Sequence, residues 1–174
     1  HILIDLAKDA NCEIFAAKRT SSNLELVQKL FAHYGQSNNY TRINWVDFDL
    51  NNISSLTQAK EVIHTAAVVS FNPKDYDDMT ATNVIATKKL LELAKSSNIE
   101  KFGFVSSIAS LGRTKASNNY NENSPWSEST SNSFYSKTKY ASEQEVIKAN
   151  GDKMKTYIVN PGVILGPCDW NKSS

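Results

Sequence analysis

Apolar positions along the chain switch repeatedly between a spacing near 3.6 and a spacing of two, the periods of helix and strand. Residues 1–9 (HILIDLAKD) carry a helical pattern and 12–19 (CEIFAAKR) read as a strand. Leu24, Val27, Leu30 and Phe31 share one face of a helix predicted over 23–35, with Gly35 as its stop. A strand over 42–50 (RINWVDFDL), a short helical turn over 53–59 (ISSLTQA) and an apolar strand over 61–69 follow. Asn72-Pro73 opens a long helix to about residue 98, in which Val84, Thr87, Leu91 and Ala94 recur at helical spacing. Strand 101–107 (KFGFVSS) comes next. The Asn- and Ser-rich stretch 113–130 is too polar for a core and too long for a plain connection, which predicts a functional or disordered loop. A helix to about residue 150, a strand over 155–160 and an exit loop, PGVILGP (161–167), close the series.

Strands that alternate with helices of ten or more residues imply right-handed crossovers and a parallel sheet covered on both faces. The predicted class is therefore α/β, a doubly wound parallel sheet, and ligands in such sheets bind beyond the carboxyl ends of the strands. A length of 174 residues fits one domain, 1–174. Its 19 basic and 18 acidic residues leave a net charge of +1, which gives no support for nucleic-acid binding or a polybasic membrane anchor. No apolar run approaches the ~20 residues of a membrane span. Cys12 and Cys168 show no metal-ligand or CxxC spacing and read as reduced thiols of a cytoplasmic protein. The chain opens without an initiator Met or a preceding strand and closes inside a loop, so it reads as a fragment.

The strand ends carry the chemistry. Lys18, Arg19 and the hydroxyls after them (AKRTSS) form a small anion site, and an arginine there suits the 2′-phosphate of NADP. Asp49, in DFDL, can accept a hydrogen bond from an adenine amine, with Asp47 its neighbour on the same face. Ala66 and Ala67 have so little side chain that a planar ligand could lie against their backbone, whereas His64 reads as a packed core residue. Ser106 and Ser107 close the fourth strand without the flanking glycines of a hydrolase elbow. Tyr135 and Lys139 stand four apart in YSKTK. With 7 tyrosines and 16 lysines, chance supplies about 0.6 such pairs, so spacing alone decides little. None of the other six tyrosines has a lysine four residues on.

In their order, AKRTSS, DFDL, VIHTAA, FVSSIASLG, YSKTK and NPGVILGP resemble the extended short-chain dehydrogenase/reductase family, also called the NAD-dependent epimerase/dehydratase family. The resemblance implies a Rossmann-like fold, so that 1–174 is a partial NAD(P)-binding domain. It also implies a catalytic set of Ser107, Tyr135, Lys139 and Asn83. Lys139 would lower the Tyr135 pKa and hold the nicotinamide ribose. The implied cofactor is NADP or NAD, bound by Arg19, Ser21, Asp49, Leu50, Ala66, Ala67, Tyr135, Lys139, Asn160, Pro161, Gly162 and Val163, with no metal. Departures accompany it: Ala86 and Thr138 replace the usual Gly and Ser, and the family's first strand, glycine-rich turn and C-terminal substrate segment are missing. The first strand is central in the family's sheet, so two inner edges are expected without their partner, and the chain alone is expected to be inactive. The implied activity is an NADP(H)-dependent oxidoreductase acting on a ketone or aldehyde, or the alcohol, as small-molecule partner. A nucleotide-sugar epimerase or dehydratase and a non-catalytic dinucleotide-binding regulator are the alternatives, and a homodimer is the expected assembly.

Overall fold

The computed structural model describes residues 1–56, 59–112, 121–129 and 131–167. Its strand pairings are parallel. β1 (Ile14–Lys18) pairs with β2 (Ile43–Asp47), Ile14 opposite Ile43. β3 (Glu61–His64), β4 (Lys101–Val105) and β5 (Lys155–Val159) form a second sheet in that order, with Glu61, Lys101 and Lys155 in register. β1 ladders with β2 alone and β3 with β4 alone among the described residues. The chain divides into two compact units, 1–49 with 164 onward, and 50–163.

In the first unit, α1 (Ile2–Leu6), α2 (Glu25–His33) and a turn of helix, α3 (Ser37–Tyr40), accompany the β1–β2 pair. Ile4, Ala7, Ile14, Ala16, Leu30, Phe31 and Ile43 form its buried core. Phe31 is wholly buried, worth about 1.5–3 kcal/mol relative to exposure. Gly35 ends α2 as its sequence predicts: at φ 65° it lets Gln36 N–H reach back to Phe31 O at 2.7 Å, the six-to-one bond of a Schellman cap. Arg42 donates to the carbonyls of Ala7 (2.6 Å), Asp9 (2.8 Å) and Cys12 (3.3 Å), satisfying groups that the end of α1 leaves open.

In the second unit, α4 (Tyr76–Met79), a π-helical stretch (Thr80–Ile85) and α5 (Ala86–Ser96) run as one continuous helix. α6 spans Phe134–Ala149, capped by the Ser133 hydroxyl on Ser136 N–H. The face of the sheet bearing His64, Phe102 and Phe104 packs against α5 and α6: His64 meets Thr87 on α5, and Lys139 on α6 lies over the Phe104 ring. Tyr157 lies across Gly103, where any Cβ would come within 2.5 Å of its ring.

Two boundaries differ from the sequence pattern. The helical turn expected at 53–59 forms instead at Leu50–Asn52, and residues 57–58 lie outside the described residues. The strand expected over 61–69 stops at His64, because the Val68 peptide groups are taken by the Asn83 side chain rather than by a neighbouring strand. Of the polar stretch, 113–120 and 130 lie outside the described residues, as does Cys168. Among the described residues no helix is long and apolar enough to cross a membrane.

Candidate active site

β4 delivers Ser106 and Ser107 to the carboxyl end of the second sheet. The ladder persists one bond past the strand, from Ser106 N–H to Val159 O at 2.8 Å, and the chain then turns. Ser107 caps that turn, its hydroxyl accepting from Ala109 N–H at 3.2 Å, and remains half-buried. Ser106 points inward, only 6% exposed, and its hydroxyl has no hydrogen-bond partner in the structure. Of the two serines, Ser107 is therefore the more accessible.

Tyr135 lies in the first turn of α6, and its phenol meets the Ser107 hydroxyl. Burial raises the Tyr135 pKa, and the hydrogen bond from Ser107 offsets part of the rise by favouring the phenolate. Lys139, one turn on, is 2% exposed. Its ammonium donates to Val105 O at 2.9 Å and sits 4.2 Å from the centre of the Phe104 ring, a cation–π contact. Burial pushes its pKa down to about 8, against an upward pull from the Glu143 carboxylate. The expectation that Lys139 lowers the Tyr135 pKa is therefore corrected here. The ammonium is turned toward Val105 and Phe104, and burial governs the phenol.

Asn83 is not placed to touch a reacting group. It is buried in the π-helical stretch, and its amide accepts from Val68 N–H (2.8 Å) and donates to Val68 O (2.9 Å) and Thr138 Oγ (3.1 Å). Thr138 Oγ in turn donates to Tyr135 O at 2.9 Å. Asn83 O accepts from Ser142 Oγ at 2.6 Å. The Asn83 side chain thus ties the β3 exit loop to the turn of α6 bearing Tyr135. The Thr138 hydroxyl, the departure from the family's serine, completes that tie.

The other residues singled out in the second unit line the strand exits. Ala66 and Ala67 are exposed, Leu50 opens the turn at 50–52, and Pro161 O accepts from Ile108 N–H at 3.0 Å, with Gly162 and Val163 exposed beyond it. Asn160 is turned inward. Its amide nitrogen, with two N–H groups, is shared among Glu143 Oε1 (2.6 Å), Ser110 Oγ (2.9 Å) and Ser107 O (3.3 Å), so that group faces the protein and not a ligand. His64 is a core residue as expected, hydrogen-bonded to Thr87 Oγ at 2.9 Å, its pKa pushed down to about 4 by burial and by the Lys139 charge. In the first unit, Arg19 and Ser21 are exposed beyond β1, and Arg19 N–H donates to Ser22 Oγ at 3.2 Å. Lys18 is ion-paired with Asp47, and among the described residues no ion pair involves Arg19, the other cation of that turn. Asp49 is exposed beyond β2.

A family model described as "Male sterility protein", an NAD-binding family, matches residues 46–174. Sterol demethylase protein B of Methylococcus capsulatus is 32% identical over 72% of this chain and 39% of its own length. The chain belongs to the extended short-chain dehydrogenase/reductase family. Another relative of this dehydrogenase/reductase chain, a Synechocystis protein named for dihydroflavonol 4-reductase, is 29% identical over 73% of the chain and 38% of its own length. The dehydrogenase/reductase chain therefore spans well under half the length of these two relatives. Its fold is similar to that of UDP-glucuronic acid 4-epimerase from Bacillus cereus solved with NAD, with a TM-score of 0.78 and 19% identity over 97% of this chain and 54% of that one. The Rossmann-like α/β class and the use of NAD or NADP follow for the family.

Sequence reasoning missed the Ser110–Glu143–Asn160 cluster behind Ser107, and the Ser142 hydroxyl that bonds both Asn83 O and Thr138 O at 2.6 and 2.7 Å. One signal was present: Tyr135, Lys139 and Glu143 recur every four residues, so the carboxylate shares the helix face of the pair.

Proposed function

We propose that the natural polypeptide carrying this chain is an NADP(H)-dependent oxidoreductase that reduces a ketone or aldehyde, or oxidises the corresponding alcohol. The observation that carries this reading is the Ser107–Tyr135 hydroxyl pair beyond the end of β4, with Lys139 one helical turn away. Within each unit taken by itself, the residues present suit part of a dinucleotide. A lysine ammonium has three N–H donors, and Lys139 directs one to Val105 O, which leaves donors for ribose hydroxyls. Ala66 and Ala67 offer an open backbone, and Arg19 with Ser21 suits a 2′-phosphate.

Bound NADPH would supply the hydride to the carbonyl carbon, the step that protein side chains cannot perform. Ser107 donates a hydrogen bond to the substrate oxygen and steadies it as charge develops. Tyr135 then gives its proton to that oxygen; its O–H bond breaks as the alcohol O–H forms, and water returns a proton to the phenolate. A phenol whose pKa is raised is fully protonated at neutral pH, which suits it to act as an acid in the reductive direction. Ile108 and Ala109, the residues after Ser107, carry no group able to transfer a proton, which argues against a dehydratase. The test is a panel of carbonyl compounds and nucleotide sugars followed by NADPH absorbance. Carbonyl-dependent loss of NADPH is expected. Conversion confined to the nucleotide sugars, without net loss of NADPH, would assign the site to an epimerase instead.

A further inference from the structure

Glu143 stands out among the charged groups of the second unit. It is 8% exposed, and among the described residues the hydrogen-bond partners of its carboxylate are Ser110 and Asn160. A buried carboxylate persists only where hydrogen bonds and nearby charge offset its lost hydration. Here Oε1 accepts from Ser110 Oγ at 2.5 Å and from Asn160 Nδ2 at 2.6 Å. Both groups also lie at the Ser107 carbonyl, Ser110 Oγ at 2.7 Å and Asn160 Nδ2 at 3.3 Å, so the single Ser110 O–H is shared between that carbonyl and Glu143. The carboxylate thus lies at the centre of a buried knot that joins α6, the exit of β5 and the turn presenting the Ser107 hydroxyl. It also lies one helical turn beyond Lys139.

We propose that Glu143 is a positioning residue of this site: through Ser110 and Asn160 it fixes the Ser107 turn, and from one turn along α6 it sets a carboxylate on the helix face of Lys139. The inference rests on the reading of Ser107, Tyr135 and Lys139 given above. Both roles use one carboxylate oxygen cluster and one formal charge, so they can be separated chemically. Among the described residues, the groups facing Lys139 are Tyr135 and Glu143 on its own helix, neutral His64 and the Phe104 ring on the sheet, and the Val105 carbonyl. Of these, Glu143 is the carboxylate, and its pull on Lys139 opposes the larger effect of burial.

The experiment compares wild type with Glu143→Gln and Ser110→Ala in the natural polypeptide. Lys139 is titrated by NMR at its side-chain carbon, and amide hydrogen exchange is followed across residues 107–111. Glu143→Gln keeps an oxygen that Ser110 and Asn160 can bond while removing the charge. It is expected to lower the Lys139 midpoint below its wild-type value near pH 8, with exchange in the turn changed less than threefold. Ser110→Ala keeps the charge and loosens the knot. It is expected to speed exchange across 107–111 at least tenfold, lower kcat more than it raises KM, and leave the Lys139 midpoint in place. A Lys139 midpoint unmoved in Glu143→Gln, or turn exchange unchanged in Ser110→Ala, overturns the proposal. Neither readout needs turnover, so an absence of carbonyl reduction by wild type would refute the proposed activity separately.

Discussion

Tyr135 and Lys139 share a helix face four residues apart, yet burial moves both toward their neutral forms: the phenol pKa rises and the ammonium falls to about 8. The pair is therefore arranged around its buried setting rather than around mutual attraction. His64, beneath Lys139, shows the same influence and yields a stability prediction. Its folded pKa of about 4 lies below the ordinary 6.5, so as pH falls from 6.5 to 4 the unfolded chain takes up the proton first. Its stabilising contribution is complete above pH 6.5 and is lost on acidification through that window, by about 3 kcal/mol. Urea unfolding at pH 4 and pH 7 should show this loss in wild type and a flatter profile in His64→Gln. Lys139 behaves likewise at higher pH: its burial penalty is present below pH 8 and is relieved as pH rises from 8 toward 10.5. Arg19 gives a prediction on specificity. Arg19→Ala should weaken NADPH binding about 10- to 100-fold, the worth of one charge-assisted hydrogen bond, and leave NADH binding unchanged. Fluorescence titration with both dinucleotides distinguishes this from a general loss of binding. At this scale the reactive trio was legible because its residue types stand at strand and helix ends. Glu143 was not, since a glutamate eight residues along a polar helix also fits a solvated face.

Among the elements, the junction of the β3 exit and the long helix departs most from the sequence pattern. Period-two spacing extends the strand to residue 69, but a strand needs partners for its peptide groups, and at Val68 the Asn83 amide supplies them. The π-helical stretch at Thr80–Ile85 was invisible because the spacing of Val84, Thr87, Leu91 and Ala94 runs from inside it into α5 without a break. Such stretches are frequent at functional sites, and this one presents Asn83 to two elements at once. Asn83→Ala would leave the Val68 N–H and C=O without partners, at a cost of about 1–3 kcal/mol for each buried group. The expected result is a lower urea midpoint and fast amide exchange at Val68. Asn83→Asp, which keeps the acceptor and loses both donors, should restore protection at the Val68 amide alone. The strand cores, by contrast, were readable to within about three residues for β1, β2, β4 and β5, because alternation there coincides with ladder pairing.

For the whole molecule, helix–strand alternation was enough to predict the parallel α/β class, and each ladder observed is parallel. The division into two sheets and two units was less legible, since it depends on which strands find neighbours and not on any strand's own pattern. Function was legible only through the order of motifs, because no single spacing in the chain exceeds chance by much. The central claim is that Tyr135, held beside Ser107 on α6, is the proton donor of a dinucleotide-dependent carbonyl reduction. Its most direct test is NADPH-dependent turnover by wild type and Tyr135→Phe of the natural polypeptide, with NADPH affinity measured on the same samples. The account predicts that kcat falls at least about 100-fold while the NADPH dissociation constant stays within about twofold, the signature of a lost acid–base group. Turnover by Tyr135→Phe close to wild type would contradict it.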